Sequence, residues 1–240
     1  MTVSQHLTPL KRQTLSADVY EQFKELLISG RMMPGEQISL RSMAEALGVS
    51  VMPVREAVQR LSAEQALELT PNRTLRVPLM SVSQFREITS IRMNLEGLAT
   101  ATATERMTED EVRQIQVWHE GFVDEMKNQP QDVARLIAFN KELHFGIYRG
   151  SRMPVLMQLI EALWLRIGPI LNYDIRAGSD RVGQRTALTH HAALVEALRT
   201  KNPEKACKAL QGDIQSAAEF IISAGVLVAA DEPNKGTQRS

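Results

Sequence analysis

Four polar side chains of metal-binding type interrupt apolar helical stripes in the second half of the chain. Asn140 and His144 are four residues apart, so they share one face of a helix, one turn from each other. His191 and Asp213 fall within the apolar stripes of two later helical segments. Because burying such groups without partners is costly, we expect them to meet each other or a ligand inside the fold.

Two interpretations of this set are open from the residues alone. In the first, Asp213 charges or orients a histidine in a hydrogen-bonded core network, with Asn140 nearby. In the second, two imidazole nitrogens and side-chain oxygens hold a divalent metal, and this mixed set of donors suits zinc, nickel or manganese. Two histidines and a carboxylate could also activate water in a metal-dependent hydrolase.

The composition limits which class of protein could carry such a site. The 240 residues include 28 basic and 28 acidic side chains, and 43% are hydrophobic, which is typical of one large or two modest globular domains. A net charge of zero argues against a generally basic, nucleic-acid-binding surface. Any such surface would need local clustering of arginines.

Cysteine usage and hydropathy indicate in which cellular compartment the protein works. Cys207 is the single cysteine, which excludes a disulfide framework and a cysteine-based zinc site. The N-terminal residues lack the apolar core of a signal peptide, and no uncharged apolar run approaches the length of a membrane span. We therefore expect a cytoplasmic protein without membrane association.

The elements that must position these side chains are mainly helices, because the 3.6-residue period dominates and alternation of period two is scarce. We predict a flexible start over 1–14, a first domain over 15–78, an all-α helical bundle over 83–228 and a disordered tail over 231–240. The helices of the bundle are expected near 83–104, 109–128, 131–150, 154–176, 181–200 and 203–225.

The first domain has the pattern of a winged helix-turn-helix. Three short helical stripes are followed by two short strands around 71–73, and Gly48 can take the left-handed conformation at the corner before the third helix, which Ser50 can cap. The start of that helix would enter the major groove of double-stranded DNA. The candidate DNA contacts are Arg41, Ser50, Val51, Arg55, Asn72 and Arg73. A packing unit with solvated arginines fits the same spacing.

The sequence from Gly35 to Pro78 resembles the DNA-binding domain of the GntR family of bacterial transcription regulators. The matching elements are Gly35-Glu36, the corner LGVS, the segment PVREA and the wing. The resemblance implies DNA contacts by Arg41, Arg55 and the wing tip. The chain departs from the family at Val51, where an arginine is usual, and this change puts one phosphate or base contact in doubt.

The segments IRMNLEGLAT, FNKELHFGIYRGSRMP and HAALVEALRTKNPEKACKALQGDI are similar to the all-helical FCD domain of FadR-type GntR regulators. Many such domains bind metal through an Asp, a His one turn later and two further histidines. The resemblance implies that Asn140, His144, His191 and Asp213 occupy these positions. Asn140 replaces the usual Asp and Asp213 the usual third His, which implies weaker binding or a changed metal preference.

The same resemblance bears on two arginines. Arg92 lies on an apolar stripe four residues before Glu96, and an ion pair of purely structural function would explain it. In similar regulators an arginine here faces the effector cavity, where it could clamp a carboxylate. Arg166, which follows Trp164, is the second candidate effector contact.

Taken together, these features predict a homodimeric transcriptional regulator, most simply a repressor, that binds a DNA operator and a small organic acid. Effector and operator would favour different dimer geometries, so that each weakens the binding of the other. One alternative is a DNA-binding dimer that needs no effector. The hydrolase is the other alternative, but it leaves the winged helix unexplained.

Overall fold

The computed structural model describes residues 15–70, 74–128, 130–176 and 186–228. It is mainly helical, as predicted. The helices are α1 (Leu15–Ile28), α2 (Leu40–Leu47), α3 (Val51–Ala63), α4 (Val82–Arg106), α5 (Glu109–Glu125), α6 (Val133–Gly150), α7 (Pro154–Leu171), α8 (Tyr173–Arg176), α9 (Thr186–Arg199) and α10 (Pro203–Ser223). The strands are β1 (Gln37–Ser39), β2 (Glu68–Leu69) and β3 (Thr74–Arg76). The predicted flexible start and disordered tail lie outside the described residues.

The N-terminal domain packs α1 and α3 around a small apolar core that includes Phe23, Leu27, Val54 and Leu61. The strands form an antiparallel sheet in the order β1-β3-β2. The sequence predicted the two wing strands but missed β1. That strand has three residues, of which the middle one is half-buried and the outer two are exposed, so it carries too little alternation to be recognised.

The corner between α2 and α3 forms as predicted at its glycine. Gly48 ends α2 with φ 66° and ψ 29°, a left-handed conformation that glycine adopts without strain. Ser50 takes the N-cap position of α3 with an extended backbone, but its side chain makes no capping hydrogen bond. The prediction is therefore correct that Ser50 occupies the N-cap position, and wrong that its side chain caps the helix.

The helical domain is built around α4, which packs against α6, α7 and α10. A capping box, formed by Ser81 and Gln84, fixes the start of α4. A second one, formed by Thr108 and Glu111, fixes the start of α5. The single helix predicted over 154–176 is wrong, because the chain breaks at Asn172 between α7 and α8.

The two domains contact each other through α1 and α7. The Asn172 side-chain amide donates to the backbone oxygens of Ile28 in α1 and Gly168 in α7, each at 3.2 Å. Gly168 lies so close to α1 that a Cβ atom there would be 2.5 Å from the Leu27 oxygen. Lys24 of α1 pairs with Glu161 of α7 at 2.6 Å. This junction brings the DNA-binding domain directly onto a helix of the bundle.

Helix α7 is also, among the described residues, the one helix long and apolar enough to cross a membrane. Within the fold, 44% of this helix is buried, and it packs against both α1 and α4. Its packing is that of a core helix. Length and composition alone are weak evidence for a membrane span.

Candidate functional site

The helical domain brings three of the four predicted metal-binding side chains together. His144 is on α6, His191 on α9 and Asp213 on α10, and one ligand atom from each lies within 4.8 Å of the other two. All three residues are buried, with 3%, 0% and 7% of their surfaces exposed. They meet because each sits on the apolar face that packs its helix into the bundle.

The spacing of these atoms suits a metal ion. The Nε2 atom of His144 is 3.4 Å from Oδ2 of Asp213, and Nε2 of His191 is 3.7 Å from the same oxygen. Two ligands of a tetrahedral zinc ion, each about 2.0–2.1 Å from it, lie roughly 3.4 Å apart. Asn140 lines the same small cavity as His144 and Asp213. The donors present therefore fit a divalent cation.

A second polar group lies beside the cluster and was not predicted as part of the site. The Glu96 carboxylate is fully buried and accepts hydrogen bonds from Arg92 and Trp164. The Tyr148 hydroxyl contacts both Glu96 and Nδ1 of His144, the latter at 3.3 Å. Spacing could have indicated Tyr148, since it follows His144 by four residues on the face that also carries Asn140.

Burial controls the protonation of two side chains near the cluster. The pKa of Tyr148 lies well above its ordinary value, chiefly because the phenol is buried and secondly because Glu96 carries a nearby negative charge. Burial lowers the pKa of His119, and His191 lowers it further. The His119 and His191 rings lie edge to face with centroids 6.1 Å apart. Because its pKa is raised, the Tyr148 hydroxyl keeps its proton at physiological pH.

The two predicted effector arginines lie in different places. Arg92 lines the cavity of the metal-binding cluster, but both Nε and Nη2 bond to Glu96, at 2.6 and 3.2 Å. Arg166 lines a separate cavity of about 250 Å³, together with Pro78 and Gln84. The two arginines therefore line different cavities, and an effector contact by Arg166 stays a prediction.

The predicted DNA contacts that the structure describes lie at the surface of the N-terminal domain. Arg41, Ser50 and Arg55 are exposed. Arg41 pairs with Glu45 of the same helix at 3.0 Å. Val51 is half-buried and packs against the core, so it adds no polar contact at the start of α3. The wing-tip residues Asn72 and Arg73 lie outside the described residues.

Two family models match the chain, one in each domain. The model described as bacterial regulatory proteins, gntR family, matches residues 15–77. The FCD domain model matches residues 87–216, more than half of the chain. The two matches fall on the winged helix and on the helical bundle.

Individual relatives agree with these matches. The HTH-type transcriptional regulator McbR of Escherichia coli is 33% identical over 81% of this chain and 87% of its own. A solved structure of McbR covers 89% of this chain and all of that one, with a TM-score of 0.81 and 30% identity. A probable D-xylose utilization operon repressor of Paenarthrobacter nicotinovorans is 28% identical over 84% of this chain and 86% of its own. These relatives are transcriptional regulators and not enzymes, which contradicts the hydrolase alternative.

Proposed function

The chain belongs to the gntR family of bacterial regulatory proteins and carries an FCD domain, and from this premise we propose that it is a cytoplasmic, homodimeric repressor controlled by a divalent metal and a small carboxylate. The observation that carries the proposal is the buried cluster of His144, His191 and Asp213, whose ligand atoms lie within 4.8 Å of one another. A helix that lines the same cavity, α7, contacts the DNA-binding domain.

His144, His191 and Asp213 would hold the metal, with the Asn140 oxygen as a further donor. Two imidazoles, a carboxylate and an amide are the nitrogen and oxygen ligands that zinc, nickel and manganese accept. A bound divalent ion supplies positive charge and a coordination position that the carboxylate group of an effector could occupy. Arg92 of α4 lines the same cavity, with its charge balanced by Glu96.

The size of the cavity restricts the effector. Its volume is about 40 Å³, whereas ligand pockets usually span about 300–1,000 Å³. This space accommodates an ion with water or the carboxylate end of a small acid. The same observation favours the second candidate, a DNA-binding dimer that needs no effector and whose helical domain serves for dimerisation.

Support for DNA binding comes from the first turn of α3. The Ser50 side chain does not cap its backbone N–H groups, and Arg55 is exposed one turn after Val51. Free N–H groups at a helix start bind phosphate, and an arginine fork recognises guanine or phosphate. Arg41 on α2 adds a second exposed guanidinium.

Support for a homodimer comes from exposed apolar side chains on two helices that pack against each other, α4 and α7. Ile91 and Leu98 of α4 and Val155 and Leu159 of α7 are each 40–70% exposed. Clustered apolar surface on a soluble domain marks an interaction site. A second copy of the chain would cover these side chains, and the two DNA-binding domains could then contact two half-sites about one helical turn apart.

Elemental analysis of the full chain, purified without chelator, tests the metal-centred part of the proposal. We expect about one divalent ion per chain, with His144→Ala losing it because a direct ligand is removed. His190→Ala is the matched control, since His190 neighbours the cluster in sequence but is not part of it. Absence of metal from the unmodified protein would overturn this part and leave the effector-independent regulator.

A gel-shift assay with the operator tests the DNA-binding surface. Arg55→Ala is expected to cost about 1–3 kcal/mol per half-site, because the variant cannot form the bidentate hydrogen bonds of the guanidinium. Arg113→Ala, which removes an exposed arginine from α5 of the helical domain, should leave retention unchanged. Retention that survives Arg55→Ala would show that α3 is not the recognition helix.

A further inference from the structure

We infer that the cavity at Arg166, between the two domains, binds a small organic acid through its carboxylate. The cavity has a volume of about 250 Å³ and is lined from both sides of the domain boundary. Ser62 of α3 belongs to the DNA-binding domain, whereas Gln84 of α4 and Arg166 of α7 belong to the helical domain. This site is separate from the metal-binding cluster and does not depend on it.

The first observation is that Arg166 is a half-buried cation without a counter-charge. Within the residues that the structure describes, its guanidinium forms no ion pair and no hydrogen bond. A guanidinium is always charged and carries five N–H donors, so partial burial without an acceptor is unfavourable. Its planar fork matches the paired oxygens of a carboxylate or a phosphate. Arg166 therefore indicates an anionic ligand with at least two oxygens.

Two further donors on the wall of the cavity have hydrogens that no protein acceptor takes. The Oγ atom of Ser62 is buried and has no hydrogen-bond partner in the described part of the chain. Gln84 accepts through Oε1 from the backbone N–H of Ser81 at 3.1 Å, which orients its amide, and its Nε2 atom has no acceptor among the same residues. Because buried polar groups without partners are rare, these donors indicate that a ligand supplies the missing acceptors.

The rest of the wall favours a carboxylate with a short apolar tail over inorganic phosphate. Leu67 and Pro78 add apolar surface to the cavity. Glu68 lies on the same wall, and although it pairs with Arg76, its charge opposes a ligand with more than one negative charge. The volume is below the range of about 300–1,000 Å³ that is usual for pockets of drug-sized ligands, so an acid of few carbon atoms fits.

The position of the cavity connects this ligand to the DNA-binding domain. Ser62 lies in the last turn of α3, the predicted recognition helix, and Arg166 lies on α7 of the bundle. The set of donors is complete only when both domains contribute to it. A bound acid therefore favours the arrangement in which these two helices are close, and it holds α3 in one position relative to the bundle.

Calorimetric titration of the full chain tests the inference, with the unbranched monocarboxylates from acetate to hexanoate as probes. We expect saturable binding of at least one of these acids, because the cavity offers a cation and apolar surface together. Inorganic phosphate should bind more weakly than that acid. Butyramide, which has a similar shape to butyrate but no charge, should not bind.

Two variants test the donors directly. Arg166→Met keeps an apolar stem, removes the charged fork and should weaken binding of the acid about 10–100-fold, while Ser62→Ala should weaken it about 10-fold. Neither side chain has a described protein partner, so neither variant should lower the midpoint of thermal unfolding of the ligand-free protein. Arg86→Met is the matched control, because it removes an exposed arginine of α4 that lines a different cavity, and it should keep full affinity.

His144→Ala separates this inference from the proposed function, since it removes a ligand of the metal-binding cluster and should leave the binding of the acid unchanged. Affinity that is lost in His144→Ala and kept in Arg166→Met would place the acid at the cluster and overturn the inference. It is also overturned if no acid of the series binds, or if phosphate binds more tightly than all of them. Absence of metal from the protein would contradict the proposed function alone.

Discussion

The two domains each contain an arginine followed four residues later by a glutamate, and the two pairs behave in opposite ways. In α2, Arg41 and Glu45 are paired at 3.0 Å with side chains 85% and 67% exposed. In α4, Arg92 and Glu96 are paired at 2.6 Å with side chains 5% and 0% exposed. The same sequence spacing therefore yields a solvated pair at the DNA-binding surface and a buried one beside the candidate metal site.

The difference shows that environment, and not spacing, determines what such a pair does. Water can take the place of Glu45 as a hydrogen-bond partner of Arg41. The guanidinium can therefore leave Glu45 for a phosphate at little cost. Arg92 has no water to replace Glu96, and a buried charge that loses its partner is strongly destabilising. The exposed pair is suited to binding a partner, and the buried pair to fixing positions.

The largest effect is expected where the buried pair is broken. Glu96→Ala leaves the Arg92 charge buried without its carboxylate and should lower the free energy of unfolding by about 3–5 kcal/mol. Glu45→Ala is the matched change in the exposed pair and should cost only about 0.3–0.5 kcal/mol. Chemical denaturation monitored by circular dichroism measures both. Similar losses in the two variants would contradict the contrast between the pairs.

An intermediate effect is expected at the junction that connects the two regions. Gly168→Ala places a Cβ 2.5 Å from the Leu27 oxygen and 2.9 Å from Cα of Ile28, so one backbone must move. We expect a loss of about 1–3 kcal/mol in stability. Faster proteolytic cleavage between the domains should accompany this loss.

The matched control for the junction is Gly121→Ala. There the added Cβ meets the ring of Phe139, a half-buried side chain that can rotate away, and does not meet backbone. A smaller loss of stability and unchanged cleavage between the domains are expected. Equal behaviour of the two variants would show that close backbone contact at Gly168 does not hold the domains together.

The smallest effect concerns the exposed pair as a DNA contact. Glu45→Ala frees Arg41 and removes a negative charge near the phosphates, so operator affinity should rise slightly, with a steeper dependence on salt. The logarithm of operator affinity falls linearly with the logarithm of salt concentration. Arg41→Ala should reduce the slope of this line by about one for each phosphate that the arginine neutralises, because one fewer counterion is released. Filter binding over a range of salt concentrations measures both slopes. Identical slopes would show that Arg41 does not bind the backbone of the operator.

The predictions from sequence were best where a residue type has a strong local preference. Gly48 adopts the left-handed conformation that ends α2. His144, His191 and Asp213 interrupt strong helical stripes, and the packing of those stripes brings them together. The residue type was enough to assign Gly48 to a corner. The helical period was enough to assign the other three residues to the apolar faces of their helices.

The predictions were poorest where the position of a group depends on distant partners. Asn172 ends α7 by bonding to Gly168 and to Ile28, which is 144 residues away. Glu96 and Tyr148 belong to the site through contacts between α4, α6 and α7. Spacing places Tyr148 on the same face of α6 as His144, but no sequence pattern shows that Glu96 of α4 and Trp164 of α7 meet there.

The close contact between α1 and α7 has a consequence for exchanging domains among regulators of this kind. A chimera that joins this DNA-binding domain to another helical domain would have to match the backbone of Leu27 with a glycine at the position of Gly168. It would also need the amide of Asn172 and the Lys24–Glu161 pair. Residues 24–30 and 161–172 therefore form one transferable unit, and a functional chimera would have its crossover points outside both segments.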